Sequence, residues 1–231
     1  METNVQMESQ GITKNGVSSN EVRYGGLLLS MGALITVICI VLEVNAGWAS
    51  FSKEIVRTDL EAGTFLFQNW DKMNVIWSFS LFGNIPLAIA ALLLQKHAKK
   101  IGALPLSLFW LVHFIGSILI IIAFGISVGS YFPAMEVLNE QPALFSTIRG
   151  APMVFFNFGA LCQLFAIPIF FHSGFSKSGP VGKKLAIICL VLILLAIVLS
   201  MVGLVSFAVV AISFYIPSIV LGIVYWQKAT S

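Results

Sequence analysis

Residues 185–226 read LAIICLVLILLAIVLSMVGLVSFAVVAISFYIPSIVLGIVYW, without one charged side chain. As a single helix rising about 1.5 Å per residue, this stretch is about 63 Å long. That is twice the roughly 30 Å of hydrocarbon in a bilayer. The run therefore holds two crossings, with a tight turn expected near Gly203. Hydrocarbon offers no water to the backbone, so both crossings are expected to be helices that satisfy their own hydrogen bonds.

The same test applied outward gives six apolar stretches, at about 24–45, 73–95, 105–130, 151–172, 184–203 and 206–226. The fold class is all-α: a polytopic transmembrane helix bundle over 24–228, arranged in hairpins. Composition agrees. Hydrophobic residues make up 58% of the chain and charged residues 10%, against roughly 25% charged in soluble domains. Residues 1–23 are polar and lack the apolar h-region of a signal peptide, so they read as a disordered tail. The first span would then also serve as the targeting signal. Cys39, Cys162 and Cys189 all lie inside apolar runs, with no CxxC pair to suggest a disulfide framework or a metal site.

Lysine and arginine orient the bundle. Placing both termini on one side gathers Lys14, Arg23, Lys96, Lys99, Lys100, Lys177, Lys183, Lys184 and Lys228 there, and leaves Lys53, Arg57, Lys72 and Arg149 on the other. Positive charge favours the cytoplasmic face, so the reading is a multi-pass cell-membrane protein with cytoplasmic termini. Trp48, Trp70 and Tyr131 mark the outer interface and Trp226 the inner one. Outside, Thr58-Asp-Leu-Glu61 is a capping box, predicting a short interfacial helix over 59–70. A second short helix is expected from Pro133 to Asn139.

Spans two, four and six each carry an Ile-Pro pair, and Pro86, Pro168 and Pro217 stand 10, 9 and 11 residues before the next lysine. A proline removes one helix hydrogen bond and tends to kink its helix. The regularity suggests three hairpin repeats whose kinked helices line a central cavity; chance is the plainer explanation, because the flanking residues differ.

Polar side chains within spans tend to face the bundle interior. Glu43 is the only acid in any span and is expected to reach water or to pair with Lys53, Arg57 or Arg149. Asn84, His113, Gln163 and Tyr215 are the other cavity or binding candidates. Asn157 and Gln163 are six residues apart, about 600° around a helix, so both are not expected in one narrow pore. Cys189, Ile193, Ala196 and Ser200 share a face of span five, and Tyr215, Ser218 and Gly222 share one of span six. Such stripes suit helix packing. Gly125 and Gly129 form a GxxxG pair. His97, His113 and His172 lie toward one leaflet but match no ligand spacing, so no metal and no cofactor is expected. The chain also lacks a phosphate loop, a GxSxG nucleophile and a potassium-filter motif.

Two stretches carry a family resemblance: Asp59-Leu-Glu-Ala-Gly through Trp77-Ser-Phe-Ser-Leu-Phe-Gly-Asn-Ile, and Phe156-Asn-Phe-Gly through Ser173-Gly-Phe-Ser to Gly182-Lys-Lys-Leu-Ala-Ile. In these the chain resembles a prokaryotic family of six-to-seven-span membrane proteins known only as a domain of unknown function. The resemblance covers about half the chain and implies architecture alone. The longer polar tail and the lack of a clear seventh span depart from it.

Three functions are weighed. A carrier, channel or binder of a small solute or lipid predicts a polar midplane cavity. A non-catalytic subunit, sensor or protective protein predicts tight packing and contacts with other membrane subunits or a second copy. An intramembrane enzyme using His113 or Glu43 ranks last, since no catalytic constellation is visible, and the expectation is a non-enzyme. The bilayer is the expected partner; nucleic acid is not.

Overall fold

A computed structural model describes residues 16–175 and 181–229. Seven helices follow in order: α1 (Gly16–Asn45), α2 (Asp59–Lys100), α3 (Leu104–Glu136), α4 (Pro142–Gln163), α5 (Ala166–Phe175), α6 (Lys183–Met201) and α7 (Phe207–Lys228). No strand occurs among the described residues. Taken together, α4 and α5 make one crossing, so six helical stretches are long and apolar enough to span a membrane. The protein is an all-α membrane bundle.

The turn at Gly203 is present. Gly203 sits at φ +73°, a left-handed conformation that favours glycine, and Leu204 N–H donates to Leu199 O at 2.9 Å. This closes α6 with a glycine C-cap before Ser206 accepts from Ala208 N–H to start α7.

Four boundaries differ from the sequence reading. First, α1 begins at Gly16, so residues 16–23 of the expected tail are helical, while 1–15 lie outside the described residues. Glu21 explains part of this: its carboxylate takes Lys100 at 2.8 Å and Lys96 at 3.2 Å, which anchors the first turns of α1 to the end of α2. Second, the expected interfacial helix 59–70 is the first part of α2. The capping box at Thr58 and Glu61 forms as expected, but the chain leaves helical geometry only at Asn69 (φ −120°, ψ 17°) and continues. Third, α3 runs through Pro133 to Glu136, which removes the second short helix. Fourth, the crossing expected over 151–172 starts at Pro142 and breaks after Gln163. Pro168 accounts for the break: it has no N–H to offer the Leu164 carbonyl, which instead accepts from Ile167 N–H at 3.0 Å. Pro86 and Pro217 stay within helical dihedrals.

The helices form an arc. α2 packs between α1 and α3, α7 packs on α1, and α4 packs on α3. α6 touches α5 and α7 more lightly, so the three hairpins are not equivalent repeats. Helices approach closely where glycines face backbone. A Cβ added at Gly26 would lie 2.5 Å from Gly222 O, one at Gly32 2.7 Å from Gly83 O, and one at Gly116 2.9 Å from Gly159 O. Ser30 Oγ donates to Ile219 O at 2.9 Å across the first of these seams. The expected stripe on span five packs through Cys189, Ile193 and Ala196. Gly129, by contrast, meets nothing within 4 Å.

Two apolar clusters result. One, around Leu87, Leu94, Trp110, Phe170, Ile193 and Leu221, fills the end of the bundle that carries Lys96, Lys100, Lys183 and Lys228. The other, around Leu66, Met73, Trp77, Tyr131, Leu138 and Phe145, fills the opposite end. Lys14 and Lys177 lie outside the described residues.

Candidate functional site: a cavity between helices four and seven

α4 and α7 stand at the two ends of the α7–α1–α2–α3–α4 arc and do not pack along each other, α6 lying on α7 and on α5 instead; Phe156 and Phe207 touch edge to face across the gap, 6.0 Å between centroids. Behind this gap lies a cavity of about 780 Å³, lined from α1, α2, α3, α4 and α7 and by the 46–58 connection.

Its walls follow from where each helix enters. Helices α2, α4 and α7 run from the mouth inward and α1 and α3 run outward, so residue number gives depth. The deepest lining residues are Thr36, Asn84, Ile120, Gln163, Phe214 and Tyr215. Glu43, Trp77 and Tyr131 line a shallower level, and Glu54, Arg57, Asp59 and Arg149 line the mouth. Most of the remaining lining is apolar or aromatic.

Four of the five binding candidates, Glu43, Asn84, Gln163 and Tyr215, therefore meet in one cavity. They arrive from four different helices. Asn84 is fully buried; its Nδ2 donates to Ser80 O at 2.8 Å, while Oδ1 has no partner among the described residues. Gln163 Nε2 donates to Ser117 Oγ at 3.2 Å, and Ser117 Oγ donates to His113 O at 3.1 Å. This chain pins the broken end of α4 to α3. Tyr215 as a whole is 8% exposed.

The fifth candidate, His113, does not line the cavity. It is buried in the lysine-end cluster, edge-on to Trp110 at 5.7 Å, and neither ring nitrogen has a partner among the described residues. His97, His113 and His172 do not form a metal site: no group of three or more His, Cys, Asp or Glu close enough to hold an ion occurs among the described residues. Pro86, Pro168 and Pro217 do not line the cavity either; Pro152 does.

Glu43 departs from expectation. Instead of Lys53, Arg57 or Arg149, its Oε1 accepts from Trp77 Nε1 at 2.9 Å. The arginines are engaged elsewhere. Arg57 donates to Trp48 O at 2.9 Å and Gly47 O at 2.5 Å, with its guanidinium over the Trp48 and Phe65 rings at 5.2 and 4.6 Å. Burial, and then the like charge of Arg149, pull the Arg57 pKa below its ordinary value. Arg149 forms an ion pair with Asp59 at 2.5 Å. Gly47, at φ +81°, makes the turn that brings both carbonyls within reach of Arg57.

The 46–58 connection thereby roofs the cavity. It is tied to α7 on one side: Ser206 Oγ donates to Ser50 O, Ser206 N–H to Phe51 O at 3.2 Å, and Phe207 N–H to Glu54 Oε2 at 3.2 Å. A carboxylate there suits the positive end of the α7 dipole. Arg149 ties the other side to α4, through Asp59 and through Arg57 O at 3.5 Å.

Sequence reasoning missed Asn157, which lines the same cavity as Gln163. The wheel argument holds for a narrow pore, but this cavity is wide enough for two sectors of α4 to border it. Arg57 and Arg149 were expected only as partners of Glu43; their place at the cavity mouth depends on the path of the 46–58 connection, which no periodicity describes. No protein-family model, curated protein or solved structure matches the chain.

Proposed function

We propose that this membrane protein is a carrier or binder of a small, largely apolar solute or lipid, held in the cavity between α4 and α7. The observation that carries the reading is the meeting of Asn84, Gln163, Tyr215 and Glu43 around one space of about 780 Å³. Ligand sites are concave spaces of about 300–1,000 Å³, mostly apolar, with a few placed polar groups. Unpaired amides at membrane depth are costly, and Asn84 Oδ1, buried without a partner among the described residues, would gain by turning toward a guest that donates a hydrogen bond. With the lysine-rich end in the cytoplasm, as positive charge favours, the mouth opens on the opposite face.

The alternative, a subunit acting through helix contacts, draws less support. The glycine seams that would serve it pair Gly26 with Gly222, Gly32 with Gly83 and Gly116 with Gly159 inside this one chain.

A filling substitution tests the cavity. Ala160 borders it, and Ala160→Trp is expected to leave the folded protein intact while abolishing binding of a hydrophobic fluorescent probe, anilinonaphthalene sulfonamide, to protein in nanodiscs. Probe binding unchanged by Ala160→Trp, and equally unchanged by the Asn84→Leu, Gln163→Leu pair, would remove the basis of the reading.

A further inference from the structure

Glu43 is the one acid in the six apolar stretches, and it lines the cavity below the mouth. Its carboxylate accepts from the Trp77 indole and makes no ion pair among the described residues. The two cations that line the cavity are taken, Arg149 by Asp59 and Arg57 by two carbonyls and two rings, and Lys53 is not part of the lining. Glu54, the other acid of the lining not in an ion pair, receives the Phe207 amide. A carboxyl at membrane depth stays charged only with a compensating partner. Glu43 has no such partner among the described residues, and a cation entering the cavity would supply one.

The surroundings select the kind of cation. Hard inorganic ions take about six or more oxygen ligands, and the level of Glu43 is bordered by Trp48, Trp77, Phe124, Tyr131 and Phe156. Aromatic and apolar walls instead suit a weakly hydrated organic cation. Asn84 follows Trp77 by seven residues along α2, about 10 Å deeper, and the lining between is largely apolar.

We propose that the cavity binds an amphipathic organic ammonium ion, with its cationic nitrogen at Glu43 and its body directed toward Asn84 and Gln163. This rests on the reading of the cavity as a binding site and adds the chemical class of the guest.

The test uses full-length protein in zwitterionic nanodiscs, with tryptophan fluorescence as readout. The probes are 4-phenylbutyl-trimethylammonium and the uncharged isostere in which carbon replaces nitrogen. Wild type is expected to bind the ammonium about tenfold more tightly than the isostere, the size of one ordinary charge-assisted contact. Glu43→Gln keeps an acceptor for Trp77 and is expected to abolish the difference; Glu43→Asp, which keeps the charge, is expected to retain it. Equal affinities in wild type, or a preference that survives Glu43→Gln in folded protein, would overturn the proposal. If both probes bind equally and Ala160→Trp blocks both, the ligand class falls and the cavity reading stands. If neither binds, both fall.

Discussion

The two ends of this bundle solve the packing problem differently. From the midplane to the lysine-rich end, backbone meets backbone: Gly26 against Gly222, Gly32 against Gly83, Gly116 against Gly159. Without a hydrophobic force between helices in lipid, such close approach is what holds them. At the opposite end large rings separate the helices. Trp77 alone contacts Trp48, Trp70 and Tyr131 edge to face, at 5.5, 6.4 and 5.7 Å. There the glycine at position 63 meets side chains of Leu138 and Phe145 rather than backbone. A cavity forms where such seams are missing: α4 and α7 are each bound to a neighbour through a glycine seam between the midplane and the lysine-rich end, and nothing comparable joins them to each other on the way to the mouth.

The comparison breaks most readily at a seam. Gly222→Leu would push α7 off α1 where a Cβ already falls 2.5 Å from Gly26 O. Its cost is expected at the upper end of the about 1–3 kcal/mol typical of overpacking, read as a lower unfolding midpoint in detergent. At the opposite end the ties are polar and half-exposed. Asp59→Asn removes the charge from the pair with Arg149, whose side chain is 17% exposed, and is expected to cost about 1 kcal/mol. An equal loss on adding high salt to wild type would confirm the electrostatic origin.

How much of this was legible follows from the same division. The six crossings were readable because each is an apolar run long enough to matter, and the turn at Gly203 because arithmetic demanded it. The continuation of α2 through 59–72 was not, because Gln68, Asn69, Asp71 and Lys72 read as an interface. The break at 164–165 was signalled by Pro168, but its place one turn earlier was not, because the same signal at Pro86 and Pro217 leaves those helices unbroken. Glu43, Asn84, Gln163 and Tyr215 were found because buried polarity is expensive in lipid; His113 carries the same signal and packs elsewhere, since cost does not say which helix face meets which neighbour. The glycine seams are three pairs among nineteen glycines, and only the backbone path distinguishes them from Gly129.

Two smaller effects sharpen the contrast. Thr58→Ala loses the capping box with Glu61 and is expected to cost about 1 kcal/mol, with hydrogen exchange rising first in the 59–68 turns. Gly129→Ala meets open space and is expected to change stability by less than about 0.5 kcal/mol. A loss there comparable to that at Gly222 would erase the distinction between seam and bystander glycines.

A space open to solvent or ligand reaches the middle of this bundle beside α4. Its presence is tested most directly by cysteine labelling in a background where Cys39, Cys162 and Cys189 are replaced by alanine. Ala160→Cys, in the cavity wall, is expected to react with a charged methanethiosulfonate reagent added from the mouth side. Ile188→Cys, on an outward face of α6 that is 64% exposed in the isolated protein, is expected to stay protected by lipid. Ala160→Cys that is as unreactive as Ile188→Cys would contradict the account.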